Sequence, residues 1–163
     1  MRGVRRDKKY SNLTDILVEK DPRSNTAVFP SKKALQCFAA LVGFQLDNRI
    51  SLPPQATDNI EWHTFENGDY TDYVYLIALA ATKQLDVLRY DVEKSDKGDF
   101  SEDMVLIFEE YANGGFEIIQ NWLDKNPSDR FGTRAVITGL QRDDLLSLKT
   151  SSPEVESFPK VEF

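Results

Sequence analysis

The chain has 163 residues, 20 basic and 27 acidic side chains for a net charge of −7, and a single cysteine. That length fits one domain of common size, one thiol forms no intramolecular disulfide, and no apolar run approaches the roughly 18 residues that span a bilayer. Leu, Ile, Val and Phe exceed a quarter of the residues, enough to fold, and no apolar segment of signal-peptide length follows the basic N-terminus, so a cytoplasmic location and no membrane contact are expected.

The negative average hides an asymmetry. Residues 1–50 hold 10 basic and 5 acidic groups, and residues 51–163 hold 10 and 22, so the two halves suit different partners. Residues 1–10 read as a basic, solvated arm: Arg2, Arg5, Arg6, Lys8 and Lys9 stand against Asp7, with no periodic apolar face. Residues 11–149 read as a helical domain and 150–163 as a flexible tail. At the start of the domain, Leu13, Ile16 and Leu17 share one face of a short helix over 11–19, and Asp21-Pro22-Arg23-Ser24-Asn25 turns the chain.

Ser31 is placed to cap a second helix bearing Ala34, Leu35, Phe38, Leu41 and Val42. Cys37, Ala39 and Ala40 make its second half apolar nearly all round, the mark of a central helix. Ile50 to Pro54 is an extended connector, since a residue before proline is pushed out of the α region. Ile60, Trp62 and Phe65 form an apolar knot before Asn67-Gly68-Asp69, which reads as a helix cap. Tyr70, Tyr73, Val74, Ile77, Ala80, Ala81, Gln84 and Leu88 then keep one helical phase, widened by Leu76 and Leu79, and predict a second buried helix. Its end competes with a short strand over Leu88, Tyr90 and Val92, followed by a charged loop over 93–100.

Ser101 caps a third helix, with Glu102 and Asp103 in the first turn where the dipole favours anions. Met104, Val105, Phe108, Tyr111 and Ala112 form its face. Asn113-Gly114-Gly115 is breaker chemistry, yet the stripe resumes in phase through Gly115, Ile118, Ile119, Trp122 and Leu123, which predicts one long or kinked helix. Close helix packing is assigned to Ala112, Gly114 and Gly115, where a second backbone would offset the roughly 1 kcal/mol that a mid-helix glycine costs. After the Asn126-Pro127 stop, residues 129–148 mix strand and helix signals, with helix favoured. The expected architecture is mainly α: a compact single-domain helical bundle with room for short strand segments.

The chemistry is sparse. His63 is the only imidazole, no nucleophile elbow or Walker A sequence occurs, and Cys37 reads as core and His63 as a partly buried hydrogen-bonding group. Glu109-Glu110, Asp143-Asp144, Asp69 with Asp72 and Asp91 with Glu93 fit no metal-ligand spacing and read as solvated acidic surface. No catalytic residue, metal ligand or cofactor is assigned. The binding candidates are cations, Arg2, Arg5, Arg6, Lys8, Lys9, Lys32, Lys33 and Arg49, which would meet DNA phosphates or an acidic partner protein. Two alternatives stand beside that reading. One is a metal-dependent nuclease or hydrolase using the acidic clusters. The other is a small transcriptional regulator, for which Ala27-Val28-Phe29 before Lys32 and Lys33 outlines a ribbon-helix-helix unit. Val155, Phe158, Val161 and Phe163 make the tail either a docking segment or disordered. The oligomeric state stays open.

Arg6-Asp7-Lys8-Lys9-Tyr10, Ala39-Ala40-Leu41-Val42-Gly43-Phe44 and Ile107-Phe108-Glu109-Glu110-Tyr111-Ala112-Asn113-Gly114-Gly115 together resemble a family of small Dnd system-associated proteins, encoded with bacterial DNA phosphorothioation genes. The resemblance spans roughly residues 5 to 125, and the tail from about residue 150 lies outside it. It implies an accessory role in phosphorothioate-linked modification or restriction, a defence against foreign DNA, with proteins of that machinery as partners. It brings no assigned catalytic residue.

Overall fold

A computed structural model describes residues 1–54, 57–88 and 101–145. In chain order its elements are β1 (Val4–Asp7), a 3-10 turn at Lys8–Tyr10, α1 (Ser11–Val18), α2 (Lys32–Gln45), β2 (Thr57–Ile60), α3 (Trp62–Glu66), α4 (Thr71–Thr82), a 3-10 turn at Leu85–Leu88, α5 (Ser101–Asp124) and α6 (Thr133–Arg142). The protein is mainly helical, as the periodicity predicts, with one two-stranded sheet among the described residues. No helix among the described residues is long and apolar enough to cross a membrane.

The 24-residue α5 is the axis. Its stripe of Val105, Phe108, Ala112, Phe116, Ile119 and Trp122 is buried, and α2 lies along it with Leu35, Ala39, Ala40 and Val42 also buried. The helix runs unbroken through Asn113-Gly114-Gly115. A Cβ on Gly115 would stand 1.7 Å from the Ala39 carbonyl oxygen, and one on Gly114 would stand 1.8 Å from that of Asn48. Hydrogen atoms at these positions let the two backbones meet. At the other end of α2, Ser31 Oγ accepts from the Ala34 amide at 3.2 Å and starts the helix. The strand signal at Val136-Ile137-Thr138-Gly139 gives way to α6, whose Ala135 and Val136 enter the core; residues 146–148 of that mixed stretch lie outside the described residues.

Several expectations are corrected. Val4–Tyr10 is not a solvated arm: β1 pairs antiparallel with β2 in the register Val4↔Ile60 to Asp7↔Thr57, Val4 is fully buried, and the Tyr10 ring stacks on Phe116 with centroids 5.4 Å apart. The strand has one apolar side chain, Val4, and is held by its partner strand and by a carboxylate distant in sequence, so a segment this short shows no periodicity. The apolar knot divides into the end of β2 and α3. Asn67-Gly68-Asp69 does not cap α4 with a side chain; Gly68 and Asp69 adopt left-handed backbone (φ 93° and 62°), and Tyr70 holds the N-cap position without a side-chain bond. No strand forms at Ala27-Val28-Phe29, where the chain is bent beside an isolated Asp21–Thr26 bridge. Helix α4 is buried on one side only, through Val74, Ile77 and Ala78, while Tyr73 and Leu76 are exposed. The strand signal at Tyr90 and Val92, the loop over 93–100, the first-turn side chains of α5 and the tail fall outside the described residues.

Candidate functional site

The sheet carries the basic N-terminal residues onto α5, where they meet one carboxylate. Glu109 is fully buried. Its oxygens accept from Arg2 Nη2 at 3.0 Å, Arg5 Nη2 at 3.0 Å and the Arg5 amide at 2.7 Å. Two guanidiniums on one carboxylate leave a local excess of positive charge. Gln36, also fully buried, donates from Nε2 to the Arg5 carbonyl at 2.8 Å, which ties the strand to α2 as well as α5. The reading of Glu109 as solvated surface is therefore corrected. Its place was visible in the α5 pattern: it lies four residues after Val105 and three before Ala112, in phase with the apolar stripe.

Arg6 points to the other side of the strand and is buried. Its Nη2 donates to Asp58 Oδ2 at 3.0 Å, and Ser11 Oγ donates to the same oxygen at 3.0 Å. The Arg6 hydrogen bond, aided by that of Ser11, holds the Asp58 carboxyl below its ordinary range against a desolvation that works the other way. Arg6 Nε and Nη1 are buried without a partner among the described residues.

The other assigned cations are dispersed. Lys9 Nζ stands 3.7 Å from Asp7 and 4.7 Å from the centre of the Tyr10 ring. Lys32 pairs with Asp15 at 2.6 Å. Lys33 donates to the carbonyls of Thr64, at 2.7 Å, and Asn67, joining α2 to α3. Arg49 Nε donates to Glu110 Oε2 at 2.6 Å, and Ser51 Oγ donates to the other oxygen at 3.1 Å. Only Lys8, which is exposed, has neither hydrogen bond nor ion pair among the described residues. Sequence reasoning passed over a second group of cations, Lys20, Arg23, Arg130 and Arg134, which are exposed and form no ion pair among the described residues. They lie on separate segments, and no local motif marks them.

For chemistry beyond binding, His63 is exposed rather than partly buried, because it points away from the Trp62 and Phe65 side of α3. Burial pushes the Cys37 thiol up to about 12, so it carries no thiolate near neutral pH. No group of three or more His, Cys, Asp or Glu side chains that could hold a metal occurs among the described residues.

The fold and this cluster define a small mainly helical protein, built on one long glycine-notched helix that receives an N-terminal strand through a buried glutamate. The chain belongs to the family of DNA sulphur modification system-associated protein 4, whose family model matches residues 3–150. No curated protein and no solved structure matches it.

Proposed function

We propose that this protein is a non-catalytic accessory component of a bacterial DNA sulphur modification system, and that it works in the cytoplasm by docking on a protein of that machinery. The family membership supports the system. The observation that supports protein contact over DNA contact is that seven of the eight assigned cations already have partners inside the molecule. Phosphate binding draws its strength from cations free to replace counterions, and buried Arg6 and the Glu109-bound guanidiniums are not free. Within the system the role is support of phosphorothioate-linked modification or restriction, and so of defence against foreign DNA. A second reading, direct DNA contact, is favoured by the exposed Lys20, Arg23, Arg130 and Arg134, which form no ion pair among the described residues.

The test is binding of the purified chain to the purified proteins of the system, with nuclease present, beside titration with plain and phosphorothioate-bearing duplex between about 50 and 200 mM salt, the range over which phosphate contacts weaken steeply. A nuclease-resistant protein complex without duplex binding is expected. Salt-sensitive duplex binding that falls on replacing Arg23, Arg130 and Arg134, with no protein complex, overturns the reading. Duplex cleavage that requires Mg²⁺ and stops with chelator would replace it with the hydrolase alternative.

A further inference from the structure

We infer that the outward face of α4, centred on Tyr73 and Leu76, is the docking site for a basic amphipathic helix of a partner protein. This rests on the protein-contact reading above and gives it a place on the surface. Residues 73–81 of α4 are apolar without exception, and a helix apolar all round is one that is covered all round. The fold covers one side. On the other, Leu76 is 57% exposed and Tyr73 38%. Tyr73 and Leu76 are one turn apart, and with Asp69, Asp72 and Gly68 they line an open depression of about 490 Å³; apolar side chains one turn apart are the spacing at which a second helix places its anchors.

The rim decides what chemistry fits. From Glu61 to Leu88 the chain carries five carboxylates and one lysine. Asp69 and Asp72 are exposed at the edge of the depression and form no ion pair among the described residues. An apolar stripe flanked by Lys or Arg satisfies both parts: its leucines cover Tyr73 and Leu76, and its cations meet Asp69 and Asp72. A second copy of this chain would set carboxylates against carboxylates, and DNA is repelled by the same charges.

The probe is a labelled 18-residue helical peptide of Leu and Lys with Leu at i, i+3, i+4 and i+7 spacing, compared with a Leu/Glu peptide of the same pattern in fluorescence anisotropy. The Leu/Lys peptide should bind at least tenfold more tightly. Leu76→Glu, and Asp69→Lys combined with Asp72→Lys, should each weaken it at least tenfold, while Asp124→Lys, a charge reversal on a different face, should not. These side chains are exposed, so thermal melting should change little, apart from the small cost of a Lys on the left-handed backbone of position 69, and it is checked for each variant. Equal binding of both peptides, or binding indifferent to Leu76→Glu, overturns the inference, as does self-association that Leu76→Glu abolishes. The same variant against the purified proteins of the system separates the two claims. A complex unaffected by Leu76→Glu removes the α4 site and leaves the protein-contact reading standing, whereas no complex with the unaltered chain removes the reading itself.

Discussion

Arg5 and Glu109 meet twice, through the backbone amide of Arg5 and through its guanidinium, so a carboxylate on α5 closes both the edge of β1 and the charge beside it. Arg2 closes on the same carboxylate. The strand therefore docks on the long helix by charge-assisted hydrogen bonds in addition to apolar burial of Val4, so a segment of high positive charge is fixed against the core through Glu109.

Replacing Glu109 tests that arrangement. Glu109→Ala leaves two guanidiniums without their counter-charge and the Arg5 amide without its acceptor. Breaking one side of a buried ion pair typically costs about 3–5 kcal/mol; the guanidiniums left behind are 26% and 35% exposed and partly solvated, so a smaller loss, about 2–3 kcal/mol, is expected in urea denaturation. Glu109→Gln retains an acceptor and should lose less. A change under about 1 kcal/mol for the alanine variant would mean that β1 contributes little to the fold.

Much of the helical framework is legible in the sequence because α1, α2 and α5 each bury a stripe at helical spacing, and Ser31 marks a start by its own side chain. The sheet is not legible. Its strands are four residues each, and their pairing joins positions fifty or more apart, which no local pattern encodes. The fate of the cations is hidden for the same reason: Arg2 and Arg5 look solvated until a carboxylate 104 or more residues away is brought to them. Glu109 carried a signal in its phase within the stripe, but its charge argued for the surface. Tyr73 and Leu76 fit an apolar pattern that spans the whole circumference of α4, and periodicity alone cannot say which side the fold leaves open.

Gly115→Ala separates packing from propensity by sign. In an exposed helix the change would stabilise by about 1 kcal/mol. Here the added methyl would stand 1.7 Å from the Ala39 carbonyl oxygen, so α2 and α5 must move apart. Overpacking of that kind costs about 1–3 kcal/mol, and a lowered melting temperature is expected. A raised one would show that the helices separate without penalty.

Acid stability should report on Asp58. Because Arg6 and Ser11 hold its folded-state carboxyl below the ordinary 3.8, the unfolded chain binds its proton first as pH falls. The contribution is complete above the unfolded value and is lost as pH drops through the lower folded one. Asp58→Asn should therefore lower stability at pH 6 and leave a difference that shrinks on titration below pH 3.8. Urea midpoints measured at half-unit intervals from pH 6 to about 2 give the comparison. A difference between the two proteins that stays constant across that range would show that the Arg6–Asp58 bond does not persist in solution.

Cys37 offers a readout of opening, since it is the one thiol in the chain and is 3% exposed on the face of α2 that meets the core. Burial that pushes its thiol up to about 12 removes the thiolate at pH 8, and thiolate is the form that attacks a disulfide reagent. Native protein mixed with an aromatic disulfide at pH 8 should release chromophore only as fast as the molecule opens, and at once in urea. The rate should rise strongly in Glu109→Ala and Gly115→Ala, because both loosen elements packed on α2, and should be unchanged in Leu76→Glu, whose side chain faces solvent. Fast labelling of the unaltered protein would place Cys37 at a surface that opens without unfolding and would contradict the packing of α2 described above.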